Sequence, residues 1–262
     1  MSKKEQEIIV IGGGFGGLSA AIRLASAGHK VTLYDKRDKL GGRGYQYEVD
    51  GFKFDGGPTV ITAPYMFDEL FALGGKKRED YFDLIPLDPF YRIFNENGEA
   101  YNYYRDIEQA KNEVGKFSQR DVAGFERFVK STVEVFKRFH PYTEKPFLKF
   151  RDPLLVGGNP FDSPSIFGLI IQFEKEWGVH YAKGGTGAIV AALGRLFEEL
   201  GGNLQMNTEV SEILIENGRA AGVRLDDGHE HRCDKVVSNP DVAFTYKNML
   251  SAKNRTKKVD LY

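Results

Sequence analysis

The pattern of apolar and polar positions near the start of the chain predicts a strand, a helix and a second strand in succession. Residues 7–11 (EIIVI) form a continuous apolar run that is typical of a buried parallel strand. Residues 16–27 show helical spacing of leucine and isoleucine among small residues, Gly28 ends that helix, and residues 31–35 predict the second strand. Three such elements within about 30 residues have the length of a βαβ unit.

Dipeptides of aspartate or asparagine with glycine predict three hairpins farther along the chain. Such dipeptides adopt the positive φ angles that two-residue hairpin turns require. The turns and their flanking strands are Asp50-Gly51 between 44–49 and 52–54, Asn97-Gly98 between 90–94 and 100–103, and Asn217-Gly218 between 210–216 and 219–225. A short buried strand is expected at 236–237, after a further turn at Asp227-Gly228.

Helical periodicity recurs in the middle and later parts of the chain. Four segments have it, namely 64–73, 107–117, 120–139 and 188–200. The whole order is a βαβ unit, a middle block, a helix, a β-meander and a strand. This order predicts an α/β fold in which a dinucleotide-binding domain is interrupted by an inserted α+β domain.

The composition of the chain restricts which binding partners and which cellular compartment we expect. The 262 residues carry 36 Lys and Arg against 37 Asp and Glu, and a net charge of -1 gives no reason to expect nucleic acid as a partner. Cys233 is the single cysteine and has no neighbours at metal-site spacing, so we expect neither a disulfide nor a metal. We also expect a cytoplasmic protein without a signal peptide or membrane-spanning segment, because no apolar run is long enough.

A glycine-rich turn joins the first predicted strand to the first helix. Gly12, Gly14 and Gly17 fit the G-x-G-x-x-G pattern, with Phe15 and Gly16 between them. In that pattern the first glycine allows a tight turn, the second lets backbone approach a pyrophosphate, and the third lets helix and strand pack closely. A flexible loop is the alternative, but the position between a strand and a helix favours dinucleotide binding.

Two later features suit other parts of a dinucleotide. Asp35 ends the second strand, where a carboxylate can accept hydrogen bonds from ribose hydroxyls, and Lys36 follows it. Gly42 and Arg43 come shortly afterwards, and a glycine pair followed by a guanidinium suits a second clamp on a diphosphate. A turn with a solvated arginine is the alternative for this second element.

Several phrases of the sequence resemble one family of flavoproteins. The GGR at 41–43 resembles an element of the flavin amine oxidase and carotenoid desaturase superfamily. FDGGPTVIT at 54–62, EWGVHYAKGGTGAIV at 176–190 and VVSNPDV at 236–242 are similar to phrases of bacterial phytoene desaturases, in the same order. The resemblance implies an FAD-binding Rossmann-like domain, FAD as cofactor, and desaturation of a carotenoid precursor such as phytoene at a membrane surface.

The resemblance also implies which residues contact FAD. After Arg43, the implied contacts in the next segment are Gly57, Pro58 and Thr59. The KGGTG turn is implied to lie near the flavin ring, through Gly184, Gly185, Thr186 and Gly187. The strand at 210–216 is implied to present the backbone of Val210 to the adenine end.

A long apolar polyene would be the substrate of such an enzyme, so its site should be an apolar tunnel. Phenylalanines of the middle block could line it, although a plain core is the alternative; they are Phe125, Phe128, Phe136, Phe147, Phe161 and Phe167. Asp152 is a candidate acid–base group because it follows Arg151 in an aromatic context, and a surface ion pair is the alternative. Peripheral association with the inner membrane follows from the resemblance, and no oligomeric state is predicted.

The sequence departs from the family pattern in two places. PFLKFRD at 146–152 runs directly into LLVGGNPF at 154–161, and the chain ends soon after 236–242. We therefore expect an internal gap after 152, a shortened C-terminus and an incomplete fold. The predicted parts are 1–75 and 184–245 for FAD, 76–183 for the substrate, and 246–262 as the start of a missing remainder. An inactive fragment, or another flavin amine oxidase or retinol saturase-like enzyme, is the alternative function.

Overall fold

The computed structural model describes residues 4–143 and 168–255. The chain forms two compact units. The first unit consists of Met1–Thr59, Met66–Asp83 and Ala182–Tyr262, and the second of Val60–Tyr65 and Leu84–Tyr181.

The described residues form the following strands and helices. The strands are β1 (Glu7–Ile11), β2 (Lys30–Tyr34), β3 (Gln46–Val49), β4 (Phe52–Asp55), β5 (Val60–Ile61), β6 (Leu84–Pro86), β7 (Tyr91–Phe94), β8 (Ala100–Tyr103), β9 (His180–Ala182), β10 (Asn203–Gln205), β11 (Val210–Glu216), β12 (Arg219–Leu225), β13 (Glu230–Arg232) and β14 (Lys235–Ser238). The helices are α1 (Phe15–Ser26), α2 (Tyr65–Leu73), α3 (Ile107–Phe117), α4 (Val122–Thr143), α5 (Gly168–Trp177), α6 (Thr186–Glu199) and α7 (Val242–Phe244).

A parallel four-stranded sheet forms the centre of the first unit. Its strand order is β10-β2-β1-β14, and β1 pairs in parallel with both β2 and β14. Helix α1 packs beside α6, and both bury apolar faces that include Leu18, Ile22, Leu193 and Leu196. The predicted α/β fold class is therefore confirmed for this part of the chain.

An antiparallel meander of β11, β12 and β13 completes the first unit. Its inward face joins the core of the parallel sheet, because Val210, Ile213 and Val223 belong to one buried cluster with Ile9 and Tyr34. The outward face is charged: Arg224 pairs with Glu212 and Glu230 across the strands.

The second unit contains a three-stranded sheet of order β5-β9-β6, the β7–β8 hairpin and helices α3 to α5. Helices α4 and α5 pack against each other through aromatic side chains, with the Phe136 and Phe173 rings 5.7 Å apart. Arg105 donates to the carbonyl oxygens of Lys175 and Glu176 at the C-terminal end of α5, which satisfies carbonyls that a helix end leaves free.

Most elements agree with the sequence predictions, and the differences have physical causes. Helix α6 begins at Thr186 rather than 188, because a side chain from another segment caps its first turn. Helix α4 begins at Val122 after a short 3-10 turn. The apolar and polar pattern predicts neither α5 nor the short strands β5, β6, β9, β10 and β13. The predicted domain ranges remain predictions.

Candidate cofactor-binding site

The glycine-rich turn after β1 has the backbone geometry that its motif requires. Gly12 has a φ of 91° and donates its N–H to the Tyr34 carbonyl at 2.8 Å. A Cβ added to Gly17 would lie 1.9 Å from the Gly12 carbonyl oxygen, so only glycine allows this close approach. Gly14 precedes α1, no described side chain accepts a hydrogen bond from the first N–H groups of the helix, and its first turn, which begins at Phe15, contains no acidic residue. The first-turn N–H groups of α1 therefore suit an anion.

The GGR segment lies against this turn by backbone contact. Gly41 donates its N–H to the Gly13 carbonyl at 2.9 Å, and Gly14 and Gly41 form an isolated parallel bridge. A Cβ at Gly42 would come within 3.0 Å of the Gly14 Cα, and Gly42 has a φ of 55°. The Arg43 side chain is exposed and makes no hydrogen bond or ion pair with any residue that the structure describes. Within the described residues, the Arg43 guanidinium is therefore left without a protein partner, next in the chain to the glycines that contact the turn.

Asp35 fixes the glycine turn from the end of β2. Its side chain is buried, Oδ2 accepts a hydrogen bond from the Gly13 N–H at 2.6 Å, and Oδ1 accepts one from the Arg37 N–H at 2.9 Å. Each carboxylate oxygen has a second lone pair, so the arrangement leaves acceptor capacity for a ribose hydroxyl. Lys36 is exposed and forms an ion pair with Glu209 at 3.3 Å.

A carboxylate from the β3–β4 hairpin holds the KGGTG turn. Both carboxylate oxygens of Asp55 accept from the Thr186 N–H at 3.1 Å, and Oδ1 also accepts from the Gln46 side chain at 2.8 Å. Gln46 donates to the Gly184 carbonyl at 3.1 Å as well. Gly185 has a φ of 79° and precedes α6, so Asp55 supplies the negative charge at this helix N-terminus.

The segment after β4 joins the same group of loops. A Cβ added to Gly57 would overlap the Arg43 carbonyl oxygen, which lies too close for any side chain. The Thr186 hydroxyl donates to the Pro58 carbonyl at 3.0 Å. Thr59 is exposed at the end of this segment. The three predicted segments around GGR, GGPT and KGGTG are therefore in direct contact.

Phe15 and Gly187 also have close neighbours in these loops. The Phe15 ring meets the edge of the Phe67 ring at 6.3 Å and lies where a Cβ of Gly44 would stand. A Cβ at Gly187 would come within 2.7 Å of the Gln46 side-chain oxygen. Both positions consequently contribute to the packing of the loops.

Val210 differs from the glycines and polar residues predicted to bind the cofactor, because its side chain belongs to the hydrophobic core. It begins β11, pairs with Leu225, and its side chain is buried in the cluster with Ile9 and Tyr34. Any contact with a cofactor must therefore come from its backbone, as the resemblance implies.

Sequence reasoning missed three residues at this site. Asp55 and Gln46 hold the KGGTG turn, and Asn239 lies against the glycine turn with its amide near Gly14 and Gly16. Asp55 and Asn239 stand within the phrases FDGGPTVIT and VVSNPDV, which carry the family resemblance but do not show which side chains point inward. Only the tertiary contacts reveal their partners.

The structure describes only some of the residues predicted to line the substrate site or to act as its acid–base group. Asp152 and Arg151 lie outside the described residues, as do Phe147, Phe161 and Phe167. Phe125, Phe128 and Phe136 lie on α4 of the second unit. Phe136 and Phe173 form an aromatic cluster with Trp177, and the Tyr65 ring lies 4.6 Å from Trp177.

A buried acidic group lies in the second unit. Glu174 is 5% exposed and accepts a hydrogen bond from the Tyr91 hydroxyl at 2.8 Å. Burial raises the pKa of Glu174, although Tyr91 and Lys175 act in the opposite direction. Burial also raises the pKa of Tyr91 and of Tyr103, and lowers the pKa of Lys175.

The described residues contain neither a metal-binding cluster nor a helix that could span a membrane. No group of three or more His, Cys, Asp or Glu side chains there could hold a metal ion; His229, for example, pairs with Asp227 at 3.1 Å. Among the described helices, none is long and apolar enough to cross a membrane.

Comparison with known proteins agrees with the motifs. The chain is 41% identical over 280 residues to a lycopene-forming phytoene desaturase of Pantoea ananas, covering 92% of this chain and 57% of that protein. It is 37% identical to a neurosporene-forming phytoene desaturase of Cereibacter sphaeroides, covering 97% of this chain and 56% of that protein. An oxidoreductase from Methanosarcina mazei has a similar fold, with a TM-score of 0.67, 22% identity, and coverage of 93% of this chain and 61% of that one.

These matches confirm the resemblance to carotenoid desaturases that the sequence phrases indicate. The chain spans less than three fifths of the length of these two desaturases. The Pantoea alignment runs over 280 positions while covering 92% of 262 residues, so that relative has residues within the matched span that this chain lacks. Residues 15–244 match the family described as flavin containing amine oxidoreductase. Because that match covers most of this chain, the chain is a member of the flavin containing amine oxidoreductase family.

Proposed function

We propose that the protein binds FAD and desaturates a carotenoid precursor such as phytoene. The observation that carries the proposal is the contact between the glycine turn and the GGR segment, in a chain about 40% identical to phytoene desaturases. Since the chain spans little more than half of those relatives, desaturation is proposed for the whole protein.

The residues present fit the diphosphate of FAD. Gly14 and Gly42 bring two backbones within contact distance where side chains would fill the space. The N-terminus of α1, which no described side chain caps, attracts negative charge, and the Arg43 guanidinium, which has no partner among the described residues, can bind a diphosphate oxygen. Asp35 has acceptor capacity for ribose, which does not suit a ligand with a 2′-phosphate.

Each segment of the site has a proposed part in the reaction. FAD, when bound, supplies the hydride acceptor that formation of a carbon–carbon double bond requires. The glycine turn, Asp35 and Lys36 bind the adenosine diphosphate half, with backbone support from Val210. Segments 57–59 and 184–187 orient the other half, because Asp55 holds the KGGTG turn and the Thr186 hydroxyl donates to the Pro58 carbonyl. Asp152 is proposed as the acceptor of the proton that leaves the substrate.

The substrate is proposed to be a long apolar polyene. Names of the relatives support this class, and Phe128, one of the phenylalanines predicted to line the site, is 50% exposed on α4. A hydrocarbon of this length resides in lipid, so we propose peripheral contact with the cytoplasmic side of the inner membrane.

A turnover experiment tests the proposal. The purified chain is incubated with FAD and with liposomes that contain phytoene, and the extracted pigments are separated and identified by their visible absorbance. The proposed function predicts products with more conjugated double bonds, and less product from the Gly17→Ala variant at an FAD concentration that half-saturates the unmodified chain. FAD binding without any product would overturn desaturation by this chain, whereas absence of FAD binding would overturn the cofactor assignment.

A further inference from the structure

The strand order of the first unit places a topological switch point between the carboxyl ends of β1 and β14. Strand β1 connects through α1 to β2 on one side and pairs with β14 on the other. In open α/β sheets, ligands bind at this kind of topological switch point. The glycine turn follows β1 at this switch point, and Asn239 follows β14. Asn239 therefore faces the segment that the sequence motif assigns to pyrophosphate.

The Asn239 amide lies against the glycine turn. Its Nδ2 is 3.3 Å from the position that a Cβ of Gly14 or Gly17 would occupy, and its Oδ1 is 2.5 Å from that position at Gly16. Gly16 lies at a variable position of the G-x-G-x-x-G pattern, so the motif alone does not demand glycine there. The presence of the Asn239 side chain explains why position 16 lacks a Cβ.

The backbone on both sides of Asn239 is fixed. Its N–H donates to the Ile11 carbonyl at 2.9 Å, which extends the pairing of β14 with β1 by one residue. The Asp241 carboxylate caps α7 by accepting from the Ala243 N–H at 2.8 Å. The Ser238 hydroxyl lies 2.9 Å from that of Thr245. The amide is thus held in place.

The amide nevertheless has hydrogen-bonding capacity left. Its Nδ2 makes one long contact with the Gly12 carbonyl at 3.4 Å, and within the described residues Oδ1 accepts no hydrogen bond. An amide nitrogen carries two N–H donors, so one of them is free. We propose that Asn239 donates this hydrogen bond to a diphosphate oxygen of the bound dinucleotide, as a binding residue beyond the glycine motif; this inference rests on the proposed binding of FAD.

The substitution Asn239→Asp separates this role from packing. Aspartate keeps the shape of asparagine, removes the N–H donor, and adds a negative charge beside the diphosphate. We expect FAD and ADP to bind about a hundredfold more weakly to this variant and about tenfold more weakly to Asn239→Ala, the range for a hydrogen bond to a charged group. Salt screens the repulsion, so the loss in the aspartate variant should shrink between low and high ionic strength.

The control is Asn217→Asp, which adds the same charge in the same unit at the β11–β12 turn, where aspartate is equally suited. ADP and FAD affinities are measured by calorimetry and flavin fluorescence, and thermal stability is measured without ligand. The inference requires that Asn239→Asp weakens the binding of both ligands and that Asn217→Asp does not. The melting temperature of the Asn239→Asp variant should equal that of the unmodified chain. The inference would be overturned if Asn239→Asp bound both ligands within twofold of the unmodified chain. It would also be overturned if the loss of affinity came with a lower melting temperature and did not change with ionic strength. Failure of the unmodified chain to bind either ligand would overturn the proposed function as well.

Discussion

Replacement of Gly17 by alanine tests the close approach on which the glycine turn depends. The added Cβ would lie 1.9 Å from the oxygen and 3.1 Å from the carbon of the Gly12 carbonyl, and both atoms belong to the backbone. Cβ atoms do not approach other heavy atoms within 3.0 Å, so the helix and the turn must separate by at least the missing 1.1 Å. A flexible side chain could move aside at low cost, but a backbone carbonyl between β1 and α1 cannot.

Two contributions of opposite sign determine how much Gly17→Ala changes the free energy of unfolding. Alanine stabilises a helical position relative to glycine by about 0.5–1 kcal/mol. Overpacking in a close-packed region costs about 1–3 kcal/mol, and a clash between two backbones belongs at the upper end of that range. We expect Gly17→Ala to lower the free energy of unfolding by about 1–2 kcal/mol. Because the displaced turn carries the N–H groups for the diphosphate, FAD affinity should fall by more than tenfold, which equals about 1.4 kcal/mol.

The chain offers a matched control in Gly124 of α4. A Cβ there would meet only the Arg127 side chain, at 3.8 Å, so Gly124→Ala gains helix stability without a clash. The assay is urea unfolding followed by circular dichroism, together with FAD titration followed by flavin fluorescence. We expect the Gly124 variant to be at least as stable as the unmodified chain and to bind FAD equally well.

Equal behaviour of the two alanine variants would refute this reasoning. If Gly17→Ala were as stable as Gly124→Ala and kept its FAD affinity, the glycine turn would not need the close approach that the structure contains. Loss of stability with full FAD affinity would instead mean that the diphosphate binds elsewhere.

Three other substitutions probe the site and the second unit. Arg43→Gln should weaken FAD binding by about tenfold, measured by fluorescence titration, and should change the free energy of unfolding by less than about 0.5 kcal/mol because the exposed side chain has no described protein partner. Asp55→Ala removes the carboxylate that caps α6 through Thr186 and should cost about 0.5–2 kcal/mol in urea unfolding; an unchanged midpoint would contradict the capping role. Burial raises the pKa of Glu174 above its unfolded value, so folding favours the protonated form and stability is lost as pH rises through the folded pKa. Glu174→Gln, which can still accept from Tyr91, should remove that loss and flatten the pH profile of thermal stability; an unaltered profile would contradict the assignment.

The part of the fold that depends on local pattern was predictable from sequence. The apolar run of β1, the helical spacing of α1 and the glycines between them are adjacent in the chain, so a βαβ unit follows from about 30 residues. Hairpins β3–β4, β7–β8 and β11–β12 were predictable because each contains an Asx-Gly dipeptide. Both residues of the dipeptide have positive φ in the first and last of these turns. At β7–β8 only Gly98 does, and the connection is a longer loop in which the Asn95 N–H donates to the Glu99 carbonyl.

Other features depend on partners far away in the chain. Strands β5 and β9 are two and three residues long and pair across more than a hundred residues, so neither has a local signal. The start of α6 at Thr186 depends on the Asp55 carboxylate, and the absence of a side chain at Gly16 depends on Asn239. A sequence motif identifies the residues around a ligand, but only the tertiary structure shows which side chains hold them in position.

Hydrogen–deuterium exchange with and without FAD reports where on the chain the cofactor binds. FAD should slow exchange in peptides covering 12–17, 41–44, 57–59 and 184–187, and should leave the β7–β8 hairpin of the second unit unchanged. Unchanged exchange in the peptides that contain the glycine turn and GGR, under conditions where FAD is bound, would contradict the claim that these loops form the FAD site.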